Sequence, residues 1–177
     1  MKSFLTILFI CSGLFTTGQL SDNTPPEGIQ WNSIQDISTL KDSDKKTLVF
    51  IYTDWCKWCK EMQESSFNDP EVTSFINEHF KAIKFNGESN KNISYKDKVY
   101  TLKKENNLLF HELTYEFNRG NISYPSLVFL DDNLNMIQAI NGFRNKEDIL
   151  KILKYIEGEY YTKTSWNNYL KGYKKQP

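Results

Sequence analysis

The sequence predicts an α/β fold, a central mixed β-sheet flanked by helices. Three observations predict it. Residues 47–53, TLVFIYT, are an unbroken β-branched and aromatic run, the mark of a strand buried on both faces. The order of predicted elements after residue 30 is helix, strand, helix, strand, helix, strand, strand, helix. Only the turn Asp131-Asp132-Asn133 separates the last two strands, so they pair as an antiparallel hairpin and the sheet is mixed.

Each element has its own signal. Trp31, Ile34, Ile37 and Leu40 recur at three-residue steps, which predicts a short amphipathic helix ahead of the 47–53 strand. Residues 57–66 read as a helix, interrupted by Phe67-Asn68-Asp69. Pro70 suits a first helical position and restarts a helix through residue 80, with Val72, Phe75, Ile76 and Phe80 as its apolar stripe. Residues 81–86 are a second strand. The stretch 87–105 is rich in Lys, Asn, Ser and Asp and reads as a solvated surface insertion. Residues 108–117 read as a helix, 126–130 and 136–140 as strands, and 146–156 as a closing helix carrying Ile149, Leu150, Ile152, Leu153 and Ile156. The aromatics of the tail, among them Tyr160, Tyr161, Trp166, Tyr169 and Tyr173, predict a last short helix packed on the domain or, as a sharper alternative, a partner-binding tail.

Residues 1–18 read as an address. Lys2 supplies a positive start, residues 4–15 a short apolar stretch, and Thr16 and Gly18 the small residues of a cleavage site before Gln19. An uncleaved anchor and lipidation at Cys11 are the alternatives, although bulky Ile10 stands where lipidation requires a small residue. The layout is therefore a leader (1–18), a Pro- and Gly-bearing lead-in (19–30), one domain (31–158) with its insertion at about 87–105, and an aromatic extension (159–177). Export to a periplasm or beyond the cell is the expectation. Lys+Arg and Asp+Glu are both 22 in this chain of 177 residues. Without excess charge there is no electrostatic claim on nucleic acid. Three cysteines are too few for a disulfide scaffold or a four-thiolate metal site.

Cleavage leaves two cysteines, Cys56 and Cys59, in Asp54-Trp55-Cys56-Lys57-Trp58-Cys59-Lys60. The C-x-x-C spacing follows a buried strand and opens a helix. At that position unsatisfied N–H groups and the helix dipole favour a thiolate, and Lys57 and Lys60 add positive charge. Cys56 is the candidate nucleophile. Cys59, about a turn on, is the resolving thiol that can attack a mixed disulfide. A zinc half-site would need further ligands, and the two histidines, His79 and His111, lack ligand spacing. A purely structural disulfide would close a loop too short to constrain the unfolded chain much. Downstream, Tyr124-Pro125 directly precedes a strand, where a cis peptide would turn the chain sharply and expose backbone beside the thiols.

On Trp55-Cys56-Lys57-Trp58-Cys59-Lys60, Tyr124-Pro125 and Gly142, the chain resembles the thioredoxin superfamily over roughly residues 30–158. With Cys59-Lys60-Glu61-Met62 and Ser66-Phe67-Asn68-Asp69-Pro70-Glu71-Val72 it is similar to the C-terminal domain of the bacterial transmembrane thiol:disulfide reductant, and to the exported thioredoxin-like group sharing its W-C-x-x-C-K signature. The resemblance implies a thioredoxin fold, with Cys56 attacking, Cys59 resolving, and Pro125 in a cis-proline loop that positions substrate. Trp55 and Tyr124 would line the groove. It implies protein thiols and disulfides as partners, no cofactor, and a membrane electron donor if the protein is a net reductant. A monomer is expected. Where the family often carries a buried acid, this chain has Phe50, which leaves Asp54 and Glu61 as the acids nearest the motif. The Lys57-Trp58 pair matches neither the reducing nor the oxidising pattern, so the direction of electron flow stays open. So does a second class of function: a binding or chaperone module without redox turnover.

Overall fold

The computed structural model describes residues 28–42 and 44–173. The leader, Cys11 and most of the lead-in lie outside the described residues. The core is a five-stranded mixed sheet in the order β1-β3-β2-β8-β9. β1 (Trp31–Ser33) runs parallel to β3 (Phe80–Asn86), and β3 runs parallel to β2 (Lys46–Tyr52). β8 (Ser126–Leu130) is antiparallel to β2, and β9 (Met136–Asn141) is antiparallel to β8. β2 is buried from Thr47 to Ile51, as its continuous apolar run requires.

One face of the sheet is closed by helices. α1 (Lys57–Glu61) passes into a π-helical turn (Met62–Ser66), which places Met62 and Ser66 inward. α2 (Pro70–His79) starts at Asp69, whose carboxylate accepts from the N–H groups of Glu71 and Val72. α4 (Lys146–Glu157) buries Ile149, Leu150, Ile152, Leu153 and Ile156. These pack with Leu48, Phe50, Leu127 and Phe129.

The other face differs from the sequence expectation. Residues 31–40 divide into β1 and a 3-10 helix (Ile34–Leu40), because Trp31, Asn32 and Ser33 pair with Ala82, Ile83 and Lys84. The 87–105 stretch precedes the proline loop but is not merely solvated. It forms a hairpin of β4 (Ile93–Tyr95) and β5 (Lys98–Tyr100), which buries Ile93, Tyr95 and Tyr100 against the sheet. Residues 108–111 are not helical. They form β7 (Leu108–His111), paired with β6 (Leu102–Glu105) through Asn106 and Asn107, both at positive φ. Only then does α3 (Glu112–Phe117) begin, with His111 as its cap.

A 3-10 turn (Tyr160–Thr162) and α5 (Trp166–Tyr173) follow α4. The Tyr155 hydroxyl donates to the Thr164 carbonyl at 2.7 Å, and Trp166 lies edge-on to the Tyr155 ring. Among the described residues no helix is long and apolar enough to cross a membrane.

Candidate active site

Parallel strands end at the same edge of a sheet. The C-termini of β2 and β3 therefore lie side by side, with Tyr52 opposite Asn86, and antiparallel β8 begins at that edge. Every chemically notable residue of the motif leaves β2 there. The Cys56 N–H donates to the Thr53 carbonyl at 3.2 Å, which turns the chain into α1. Cys56 occupies the helix cap, and its Sγ accepts the Cys59 N–H at 3.1 Å. The two sulfurs are bonded to each other at 2.08 Å. Cys56 is 5% exposed and Cys59 fully buried, so an attacking group from solvent meets Cys56 first.

The surroundings are aromatic. Trp55 and Trp58 are 65% and 58% exposed and flank the pair. Trp58 packs on Phe143 at 5.4 Å. Trp55 meets Tyr124 edge-on at 5.9 Å. The Tyr124–Pro125 peptide is cis, and the Pro125 carbonyl accepts the Gly142 N–H at 2.7 Å. The structure thus gathers Trp55, Cys56, Tyr124 and Pro125 at one edge, although 67 residues of sequence part the first two from the last two. Lys57, Lys60, Asp54 and Glu61 are all exposed. Neither acid is hydrogen-bonded to a cysteine sulfur among the described residues. Asp54 instead accepts from the Asn86 amide at 3.1 Å. Phe50, fully buried, occupies the apolar cluster that also holds both cysteines.

Three rim residues carried no sequence signal: Asn86, Gly87 and Glu88. They sit where β3 ends, and only the register with β2 brings them to the motif. Glu88 accepts the Trp55 indole N–H at 2.9 Å. The Gly87 carbonyl accepts the Tyr124 hydroxyl at 3.1 Å and the His111 N–H at 2.7 Å. A β-carbon on Gly87 would lie 2.3 Å from the Tyr124 ring, so only glycine permits this approach. Burial, then the Glu88 charge, pushes the Tyr124 hydroxyl up to about 12, which keeps it a donor. Among the described residues no group of three His, Cys, Asp or Glu side chains is placed to hold a metal ion. His111 is buried at the end of β7, rather than on a helix, with Nε2 3.0 Å from the Lys91 carbonyl.

A family model described as Thioredoxin-like domain matches residues 34–157. The chain is 27% identical over 117 residues to the thiol:disulfide interchange protein DsbD of Tatumella citrea, covering 65% of this chain and 17% of that protein. It thus spans under a fifth of that relative's length. Among solved structures it is similar to a thioredoxin-fold protein from Helicobacter pylori, with a TM-score of 0.58, 20% identity, and 82% and 86% of the two chains covered. A putative disulphide-isomerase from Bacteroides thetaiotaomicron aligns with a TM-score of 0.52 and 22% identity over 76% and 98% of the chains. These structures speak for the fold. The family match spans most of the chain and contains both cysteines and the proline loop: the protein belongs to the thioredoxin-like domain family.

Proposed function

We propose that the protein is an exported thiol–disulfide oxidoreductase that reduces disulfides of other proteins through Cys56 and Cys59. The observation that carries this reading is the Cys56–Cys59 pair at the start of α1, with Cys56 the more accessible of the two residues, beside the Tyr124–Pro125 loop. The leader-like composition of residues 1–18 supports export, and the absence of other thiols from the mature chain supports a dedicated pair.

The exchange runs as follows. The reduced Cys56 thiolate attacks one sulfur of a substrate disulfide. That S–S bond breaks, the departing substrate thiolate takes up a proton, and a mixed disulfide forms. Cys59 then attacks the Cys56 sulfur, its proton passing to the second departing thiolate, and Cys56–Cys59 closes. Two electrons pass to the substrate, so a membrane electron donor must return two to the protein. Trp55, Tyr124 and Pro125 hold the substrate chain. The capping N–H of Cys59 and the start of the helix stabilise the Cys56 thiolate. Phe50 packs in the apolar cluster that holds both cysteines, and in this reading the proton of Cys59 leaves with the substrate.

A redox titration of residues 19–177 in thiol/disulfide buffers tests this, read by Trp55 and Trp58 fluorescence and by tagging of free thiols. A midpoint near about −270 mV is the expected result for a reductant. A midpoint of about −120 to −180 mV would make it an oxidant or isomerase instead. Thiols that never cycle in this window would overturn the enzymatic reading. Cys56→Ser should abolish exchange, and Cys59→Ser should trap mixed disulfides.

A further inference from the structure

The C-terminal extension builds a groove that the cysteine pair does not use. β9 is the outer strand of the sheet on its side, and among the described residues no strand lies beyond it. The Gly142 N–H bond to the Pro125 carbonyl sets the phase of the β8–β9 pairing. Hydrogen-bonded and non-bonded pairs alternate along an antiparallel ladder. With Ser126 opposite Asn141 and Val128 opposite Ala139, the backbone of Ile140 and Gln138 therefore faces β8, and that of Ala139 and Asn141 turns outward. The Ala139 carbonyl accordingly accepts a side-chain amide, that of Gln138, at 3.1 Å.

Facing this edge is an open cavity of about 840 Å³ between β9, α4 and α5. Five consecutive β9 residues, 137–141, form its floor. A pleated face would contribute every second residue; the pairing skips Ile137, and the unbroken run 138–141 beyond that bulge means that the cavity follows the strand's edge. At the rise of a strand the floor residues span roughly 17 Å. Tyr155, Trp166, Leu170 and Tyr173 make an aromatic and aliphatic wall, with Arg144, Asp148 and Lys151 at its rim. One end adjoins the candidate active site. Asn141 pairs with Ser126 next to Pro125, Phe143 packs on Trp58, and Arg144 enters the groove lining.

We propose that this groove takes an extended segment of the substrate polypeptide, next to the reacting cysteine, as an added strand on β9. The proposal rests on the oxidoreductase reading above. The occupant follows from the chemistry of the floor. The outward N–H of Ala139 and the outward N–H and C=O of Asn141 are satisfied by another backbone about 4.8 Å away. A purely apolar small molecule would cover those groups without pairing them. Alternate apolar side chains of the added strand meet Trp166, Leu170 and Tyr173. Small disulfides reach Cys56 without touching the groove.

The test compares two peptides, each carried as the glutathione mixed disulfide of a central cysteine. One has alternating Val and Thr on both sides, and its twin is N-methylated at alternate residues so that it cannot donate to a strand. The proteins are the wild type, Ala139→Pro, which removes an outward N–H at an edge position that tolerates proline, and Leu170→Arg, which charges the wall. Circular dichroism checks that each is folded. The wild type should reduce the Val/Thr peptide about tenfold faster than its twin. Both variants should lose that preference, and all three should reduce glutathione disulfide alike. Equal rates for the two peptides in the wild type, or a preference kept by both variants, would overturn the proposal. So would an apolar dye that binds the wild type, fails to bind Leu170→Arg and is not displaced by the Val/Thr peptide, which would mark a small-molecule site. Failure to reduce even glutathione disulfide would remove the oxidoreductase reading itself, and with it the assignment of any bound strand as substrate.

Discussion

The two faces of the central sheet are closed by different means. On the face that holds the cysteines, α2 and α4 present apolar stripes to Leu48, Phe50, Leu127 and Phe129, and α1 adds Cys59. On the opposite face, Val49, Ile51, Ile83, Phe85 and Val128 are covered by the 3-10 helix, the β4–β5 hairpin and the short α3. The second cover is thin, and a few large residues carry it. Tyr95 packs edge-on against Phe117 at 5.0 Å, and its hydroxyl donates to the Leu134 carbonyl at 2.5 Å. The difference teaches that a stretch rich in charged and polar residues can still complete a core when its scattered aromatics fall on one side.

The strongest way to probe this contrast is Phe50→Ala, on the cysteine face. Phe50 is fully buried and packs against Trp31, Phe67 and Tyr52. The truncation should cost about 4 kcal/mol in urea unfolding of the oxidised protein. A loss under about 1 kcal/mol would mean that this face collapses around the gap. Tyr95→Ala is the matching experiment on the other face. It should cost about 3 kcal/mol and leave a single unfolding transition. A separate early transition would show that the insertion is an appendage rather than part of the core. Tyr95→Phe, which leaves the Leu134 carbonyl without its donor, should account for about 1 kcal/mol of that loss.

The smallest effect is a pH dependence confined to the second face. Burial lowers the His111 imidazole below its ordinary value, against the opposing pull of the Lys91 carbonyl and Glu112. Neutral His111 accepts the Leu113 N–H at Nδ1 and faces the Lys91 carbonyl with Nε2, and a second ring proton would break the cap. The folded state therefore resists a proton that the unfolded chain accepts. Stability should be complete above about pH 6.5, the ordinary histidine value, and should fall as pH drops from there toward the lower folded value. Melting temperatures measured between pH 7.5 and 5.5 should show this slope, and His111→Gln should flatten it. An unchanged slope would place its origin on other groups.

The same contrast explains how far the sequence could be read. Helices on the cysteine face announce themselves, because Ile149, Leu150, Ile152, Leu153 and Ile156 repeat with the period of the element that contains them. The other face has no such period. Ile93, Tyr95 and Tyr100 stand singly among Lys, Asn and Asp, and a composition reading takes them for a solvated insertion. The reading of 108–117 as one helix passes over the Asn106-Asn107 pair, whose positive φ values turn Leu102–Glu105 back onto Leu108–His111. At the site, the cysteines, the tryptophans and the proline loop stood out by spacing and type. Asn86, Gly87 and Glu88 did not, because nothing local to them differs from an ordinary strand end.

By itself the sequence determined the buried strand, the C-x-x-C pair at a helix start, the proline before the third predicted strand and the mixed sheet. Those follow from local rules of periodicity, helix ends and turn chemistry, which act over a few residues. Tertiary structure alone decided that Glu88 holds Trp55, that Gly87 makes room for Tyr124, and that α5 stands across from the edge of β9 to form a groove. Each of these depends on strand register or on the packing of segments far apart in the chain. A register is chosen by the summed burial and hydrogen bonding of whole strands, a quantity that no short window of sequence contains.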